Sequence, residues 1–105
     1  MIPSTVVGTV TGNGAAKNII IGFKPDYVQI VNVTDGDAID TWFRGMAAAT
    51  SVLSGGASGG ATRAAPNGIT EYAGVEGEGF TIGAGISENA KVLRYVAIRS
   101  GPGST

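Results

Sequence analysis

Hydrophobic and polar residues alternate in short stretches along this chain, and two of the stretches are apolar on both sides. In Tyr27–Val33 (YVQIVNV), alternate residues of an extended chain point to opposite sides. One side carries Tyr27, Gln29, Val31 and Val33, and the other carries Val28, Ile30 and Asn32. Lys91–Ser100 has the same two-sided pattern. Both runs are therefore predicted to be strands whose second face is covered, either by a loop of the chain or by another molecule.

Turn signals divide the rest of the chain into further short strands. The other predicted strands are Thr5–Thr11, Asn18–Gly22, Ile39–Arg44, Gly68–Gly74 and Gly79–Gly83. The glycines of GNG (12–14) predict a hairpin between the first two, and GFKPD (22–26) and TDGDA (34–38) predict turns. Met46–Leu53 fits either helix or strand, and its β-branched residues favour extended structure.

This pattern predicts an all-β fold. Strands do not alternate with helices, so we expect one domain over 1–105, an antiparallel β-sandwich or jelly-roll-like barrel of about 7–8 short strands. The glycine-rich segment 54–62 is predicted to be a mobile loop, and 1–4 and 101–105 to be flexible or docking termini.

Composition favours a protein whose surface is covered in an assembly. Charged residues make up 14% of the 105 residues, against about 25% in ordinary globular domains. The alternative is a small monomer with a neutral surface of small residues. The seven Lys and Arg residues are scattered, so we expect no nucleic-acid partner, and no apolar run predicts a membrane segment.

The residue types that usually perform catalysis are scarce. The chain contains no His and no Cys, which removes the common general base and most zinc ligands. DGDAID (35–40) loosely resembles a calcium loop, but its glycine comes too early, and a solvated turn fits better. Glu71, Glu76 and Glu78 could supply a carboxylate pair, although their spacing is typical of a loop. We therefore predict no enzymatic activity, no cofactor and no metal.

An aromatic pair marks the predicted contact surface. Trp42 and Phe43 are adjacent, so only one of them can face the core of a regular strand, and the other should be exposed. Arg44 and Met46 follow in WFRGM. The predicted interface residues are Trp42, Phe43, Arg44, Met46, Tyr27, Val31 and Tyr95. A sugar-stacking platform built from Trp42, Tyr72 or Tyr95 is the competing interpretation.

Three segments together resemble a known family. They are GFKPDYVQIVN (Gly22–Asn32), TWFRGMA (Thr41–Ala47) and GFTIGAGISENAKVLRYVAIRSG (Gly79–Gly101). In this combination the chain resembles small virion proteins of tailed bacteriophages, in which a GF-x-P turn opens one strand and a late GF-x-[IV]-G run closes the domain.

The resemblance implies a role on the phage particle. It implies a capsid decoration (cement) protein, made in the host cytoplasm, that binds the major capsid protein on the virion surface as a homotrimer and stabilises the head. The alternative is a tail-fibre or host-recognition module that binds carbohydrate. Since the sequence opens with Met1, we expect the decoration protein rather than a module of a longer fibre chain. No acidic or basic stripe marks a capsid-facing side, so binding would depend on apolar and backbone contacts.

Overall fold

The structure, a computed structural model, describes residues 4–34, 36, 38–55, 61–63 and 67–99. These residues form nine strands in two sheets. The strands are β1 (Ser4–Thr11), β2 (Lys17–Ile20), β3 (Tyr27–Asn32), β4 (Ala38–Phe43), β5 (Ser51–Gly55), β6 (Ala61–Arg63), β7 (Ile69–Gly74), β8 (Gly77–Ile82) and β9 (Val92–Arg99). The described residues include no helix long and apolar enough to span a membrane.

The two sheets are unequal in size. The larger has six strands in the order β1-β9-β3-β4-β5-β6, and the smaller has three in the order β2-β8-β7. All of the pairings are antiparallel. The last described strand, β9, lies between β1 and β3, so the first and last described strands pair at one end of the larger sheet.

The core lies between the two sheets. It is formed by apolar side chains from the inner face of each sheet and by Ile86 of the β8–β9 connection; the sheet residues are Ile19, Val28, Ile30, Trp42, Ile69, Phe80, Ile82, Leu93 and Ala97. In β3 the buried residues are Val28, Ile30 and Asn32, which confirms the period-2 pattern of this strand and identifies the face that packs on the core. The all-β sandwich predicted from the sequence is confirmed, with nine described strands rather than 7–8.

The predicted hairpin between the first two strands is wrong. β1 pairs with β9 in the larger sheet, whereas β2 pairs with β8 in the smaller one. The glycines between them carry the chain from one sheet to the other: the Gly12 N–H donates to the Lys91 carbonyl (2.9 Å) and the Gly14 N–H to the Ser87 carbonyl (2.7 Å). These long-range bonds replace the local bonds of a tight turn.

The segment after β4 is divided between turn and strand. Residues 44–49 form turns, with Ala49 in the left-handed region (φ 62°), and β5 begins at Ser51. The extended interpretation of Met46–Leu53 therefore holds only for its second half. Four residues of the loop expected over 54–62 belong to strands instead: Ser54 and Gly55 to β5, and Ala61 and Thr62 to β6. Residues 56–60, 1–3 and 101–105 lie outside the described residues.

Candidate interaction surface

The outer face of the six-stranded sheet carries apolar side chains from five strands. Strand register determines which side chains share it, because directly paired residues point to the same side. The outward side chains are Thr5, Val7, Thr9 and Thr11 of β1; Val92, Arg94, Val96 and Ile98 of β9; Tyr27, Gln29 and Val31 of β3; Ile39, Thr41 and Phe43 of β4; and Val52 and Ser54 of β5. We call this set the outer face. Arg94 is its one charged side chain.

Exposed apolar side chains concentrate on the outer face. Val7, Phe43, Val52 and Val92 are exposed there, although ordinary sheets place polar groups on the side that faces water. Tyr27 and Val31 of the central strand β3 are half-buried between the strands that flank them. Exposed apolar side chains grouped on one face favour contact with another molecule.

An aromatic pair forms one corner of the outer face. The rings of Tyr27 and Phe43 are 5.0 Å apart at 59°, a tilted arrangement that favours the edge of one ring against the face of the other. Phe43 is 54% exposed, while its neighbour Trp42 is 3% exposed. The expectation that one member of the pair faces outward is confirmed, and the outward member is Phe43.

Trp42 is therefore not available as a surface contact, which corrects its place among the predicted interface residues. The side chain packs in the core, because it belongs to the inward-facing alternation of β4. Its buried Nε1 has no hydrogen-bond acceptor among the described residues. The indole also borders a cleft of about 260 Å³, whose other lining residues are Gly45, Met46, Ala48, Thr70 and Glu71.

Arg44 holds three segments together rather than projecting from the surface. Its Nε donates to Asp26 Oδ1, and its Nη2 donates to the Lys24 carbonyl at 3.3 Å. Its Nη1 lies 3.2 Å from Glu71 Oε2 on the smaller sheet, an ion pair without the alignment of a hydrogen bond. The proline turn before β3 is thus fastened to the end of β4 and to β7.

We expect Arg44→Lys to destabilise the fold by about 1 kcal/mol, because an ammonium group cannot reproduce the planar fork that reaches three partners at once. Arg44 is partly exposed, so solvent screens part of the effect. The measurement is the free energy of unfolding in urea. Arg94→Lys, on the exposed outer face, is the matched control and should change stability by less than about 0.5 kcal/mol. Equal losses in both variants would contradict the fastening role of Arg44.

Tyr95, one of the predicted interface residues, lies on the inner side of the larger sheet, away from the outer face, and is partly exposed. Its ring packs edge-on against Phe80, with centroids 5.3 Å apart, and lies across Gly8 of β1. A side chain at position 8 would overlap the Tyr95 ring, so this glycine is what lets the ring lie flat on β1. Burial raises the pKa of the Tyr95 phenol above its ordinary value.

Three of the carboxylates singled out in the sequence contact other polar side chains. Asp40 is buried and accepts a hydrogen bond from the Ser51 hydroxyl at 2.8 Å. Glu76 accepts one from the Asn18 amide at 3.0 Å, and Glu71 pairs with Arg44. Asp35 and Asp37 lie outside the described residues. Among those that are described, no group of three or more acidic side chains could hold a metal ion.

The structure thus brings Tyr27, Val31 and Phe43 together on the outer face and places Trp42, Met46 and Tyr95 behind it. Sequence reasoning missed Val7, Val96 and Ile98, which complete the face, because their contribution depends on the pairing of β1 and β3 with β9. Comparisons with protein-family models, with curated proteins and with solved structures find no match to this chain.

Proposed function

We propose that this protein is a non-enzymatic structural component of a tailed-phage virion, a decoration protein that binds the major capsid protein and stabilises the head. The observation that carries the proposal is the outer face, which is broad, apolar and almost free of charge. The resemblance of GFKPDYVQIVN and the late GFTIG…YVAIRSG segment to phage virion proteins supplies the class of partner.

The outer face has the composition of the buried centre of a protein interface. Such centres are depleted of charged residues and enriched in aromatic ones. Phe43 and Tyr27 supply an aromatic anchor at one corner, and Val31 and Val96 continue the apolar surface across the sheet. We assign Phe43 and Tyr27 as the residues that contribute most to binding, because large aromatic side chains dominate interface energetics.

Stabilisation of the head follows from mass action. A protein that binds the intact shell, and not its separated subunits, lowers the free energy of the assembled state by an amount that grows with its concentration and affinity. If each copy contacts two neighbouring capsid subunits, rupture must also break those contacts. The proposal places the protein on the capsid surface, and the resemblance implies three copies at each site.

The direct test is binding to phage heads that have been depleted of the protein. Under this proposal, the heads to use are those of the phage whose genome encodes the protein. We expect the added protein to bind and to raise the temperature at which the heads release DNA. Val31→Lys should weaken binding at least about tenfold, because it buries a charge without a partner. Val75→Lys is the matched control, since Val75 is fully exposed in the β7–β8 turn, away from the outer face.

The experiment tests the capsid-binding function and the assignment of the outer face separately. Failure of the unchanged protein to bind heads contradicts the proposed function. Binding that Val31→Lys and Val75→Lys leave equally intact contradicts the assignment of the outer face while leaving the function standing.

A second candidate is a host-recognition module of a tail fibre that binds carbohydrate, and one observation favours it. The cleft beside Trp42 combines an apolar wall, from Trp42 and Met46, with the Glu71 carboxylate, a combination found in sugar sites. Ala48 lies on its exposed rim, and its neighbour Ala47 is exposed but does not line it. Saccharide binding on a glycan array that Ala48→Phe abolishes and Ala47→Phe preserves would favour this candidate.

A further inference from the structure

Within the described part of the chain, strand β1 ends the larger sheet, and its own sequence lacks the features that normally protect such an edge. It has eight residues, STVVGTVT, and pairs with β9 without interruption from Ser4 to Thr11. Natural edge strands are shielded by charged side chains, prolines, bulges or shortness. None of these occurs within β1, whose side chains are hydroxyls, valines and one glycine.

The pairing with β9 determines which backbone groups of β1 point outward. The Gly12 N–H donates to the Lys91 carbonyl, which sets the phase of the ladder. In an antiparallel pair, alternate residues bond to the same neighbour. Ser4, Val6, Gly8 and Val10 therefore bond to β9, and Thr5, Val7, Thr9 and Thr11 direct their N–H and C=O groups away from it.

The outward backbone groups of Thr5, Val7 and Thr9 have no hydrogen-bond partner among the described residues and form one open stretch. The Thr11 carbonyl accepts a hydrogen bond from Lys17 Nζ at 3.1 Å, so the open stretch ends before it. The side chains of Thr5, Val7 and Thr9 are exposed, and Val7 is 65% exposed. Unpaired backbone and an apolar side chain thus occur together at the middle of the edge.

We propose that β1 pairs with β1 of a second copy of this chain, antiparallel, across a two-fold axis at Val7. Val7 then lies opposite Val7 of the other copy, and Thr5 opposite Thr9. All three open residues of each copy are paired, with about six backbone hydrogen bonds. Opposed β-branched and threonine side chains are favourable cross-strand pairs.

Among the described edge strands, β1 of a second copy is the best match for β1 in length. The opposite end of the sheet is β6, which has only three residues, Ala61–Arg63. A closed ring of three built on β1 would have to join it to a shorter, unlike edge (β6, or β2 or β7 of the smaller sheet), whereas a two-fold contact matches the longest described edge with itself. The pairing therefore favours a dimer over the homotrimer that the resemblance implies. It also joins the larger sheets of the two copies into one sheet of twelve strands, six from each copy, so that their outer faces are continuous.

Cysteine cross-linking tests the register directly. The chain contains no cysteine, so Val7→Cys introduces the only thiol. Directly opposed residues have Cα atoms about 5.5 Å apart, within the usual reach of a disulfide. We expect Val7→Cys to give a covalent dimer on oxidation or with a short bis-thiosulfonate linker. Thr5→Cys alone should not, because its copy lies about four residues away along the strand, about 13 Å.

Two controls make this result specific. A mixture of Thr5→Cys and Thr9→Cys chains should cross-link, since these positions face each other across the axis. Val52→Cys, exposed on the same face but on β5, reports the rate of random collision. Cross-linking of Val7→Cys no faster than that of Val52→Cys overturns the proposal, whatever the oligomeric state.

Sedimentation gives an independent measurement. We expect the unchanged protein to form dimers at concentrations below about 1 mM, and Val7→Lys to reduce their affinity at least about tenfold. Thr9→Pro should do the same while the monomer stays folded, because the lost N–H points away from β9. A monomer at all concentrations, or a trimer, overturns the pairing. Neither result bears on capsid binding, which the head-binding experiment measures separately.

Discussion

Trp42→Ala should remove about 3–5 kcal/mol from the free energy of unfolding, the range for deletion of a large aromatic side chain from a core. Trp42 is 3% exposed and packs among side chains from both sheets, so truncation would leave a cavity between them. A domain of this size has roughly 5–15 kcal/mol of stability in total. The variant should therefore unfold at a much lower urea concentration, measured by far-ultraviolet circular dichroism.

The adjacent residue supplies the matched control. Phe43 is on the same strand and of the same chemical class, but it points to the outer face and is 54% exposed. Phe43→Ala should change stability by less than about 1 kcal/mol. Equal losses in the two alanine variants would contradict the alternation of β4.

Trp42→Phe separates packing from hydrogen bonding. It keeps an aromatic ring in the core and removes the Nε1–H group, which has no acceptor among the described residues. Loss of ring volume destabilises the variant, whereas removal of an unpaired buried donor offsets part of that loss, so the net change should stay below about 2 kcal/mol. A loss as large as that of Trp42→Ala would show that the N–H group has a partner.

The Trp42 result also bears on the second candidate function. Loss of saccharide binding in Trp42→Ala could follow from unfolding alone, because the side chain supports the core. The comparison of Ala48→Phe with Ala47→Phe avoids this difficulty, since both alanines are at least partly accessible and neither belongs to the core. The two stabilities should be equal, and only the lining of the cleft differs.

Local patterns in the sequence predicted the elements of this fold well. The period-2 alternation of Tyr27–Val33 located β3, and the adjacency of Trp42 and Phe43 required that one of them face outward. The turn at Lys24-Pro25-Asp26 was also predictable, because proline fixes φ and cannot join a central ladder. Each of these features depends on residues within a few positions of one another.

Pairings between distant segments could not be predicted in the same way. The GNG signal at 12–14 favours a hairpin, yet β1 pairs with β9, more than eighty positions further along. The inward position of Tyr95 depends on the space above Gly8, and the role of Arg44 depends on Asp26 and Glu71. The outer face is incomplete without β1 and β9, so its breadth is visible only once these pairings are known.

The few charged residues of the chain are unevenly distributed over the described structure. A sequence with 14% charged residues could distribute them evenly over a neutral surface. Instead, Arg94 is the only charged residue on the outer face, while Arg44, Asp26 and Glu71 form ion pairs behind it. Uneven distribution favours a protein with one face adapted to a partner, and it is the reason that the outer face, rather than the cleft, carries the proposed function.

Gly79→Ala should be a strongly disruptive substitution despite its small size, with a loss of about 3 kcal/mol or more. Gly79 is buried in β8 opposite Ile20 of β2, and a Cβ atom there would overlap the backbone carbonyl oxygen of Ile19. Overlap with backbone cannot be relieved by a rotamer change, so β2 would have to move away from β8. That movement would open one edge of the smaller sheet and expose Ile19 and Phe80 of the core.

Gly22→Ala is the control that separates steric overlap with the backbone from the cost of a positive φ in a residue other than glycine. Gly22 has φ of 91° and no atom close to where a Cβ would lie, so its substitution costs only the unfavourable backbone conformation, about 1–2 kcal/mol. Amide hydrogen exchange should show that the two variants differ in which strands lose protection, as well as in how much stability they lose. In Gly79→Ala the amides of β2 and β8 should exchange faster than those of β3 and β9, whereas in Gly22→Ala protection should fall evenly. Unchanged protection of β2 in Gly79→Ala would mean that the two strands are further apart than the structure places them.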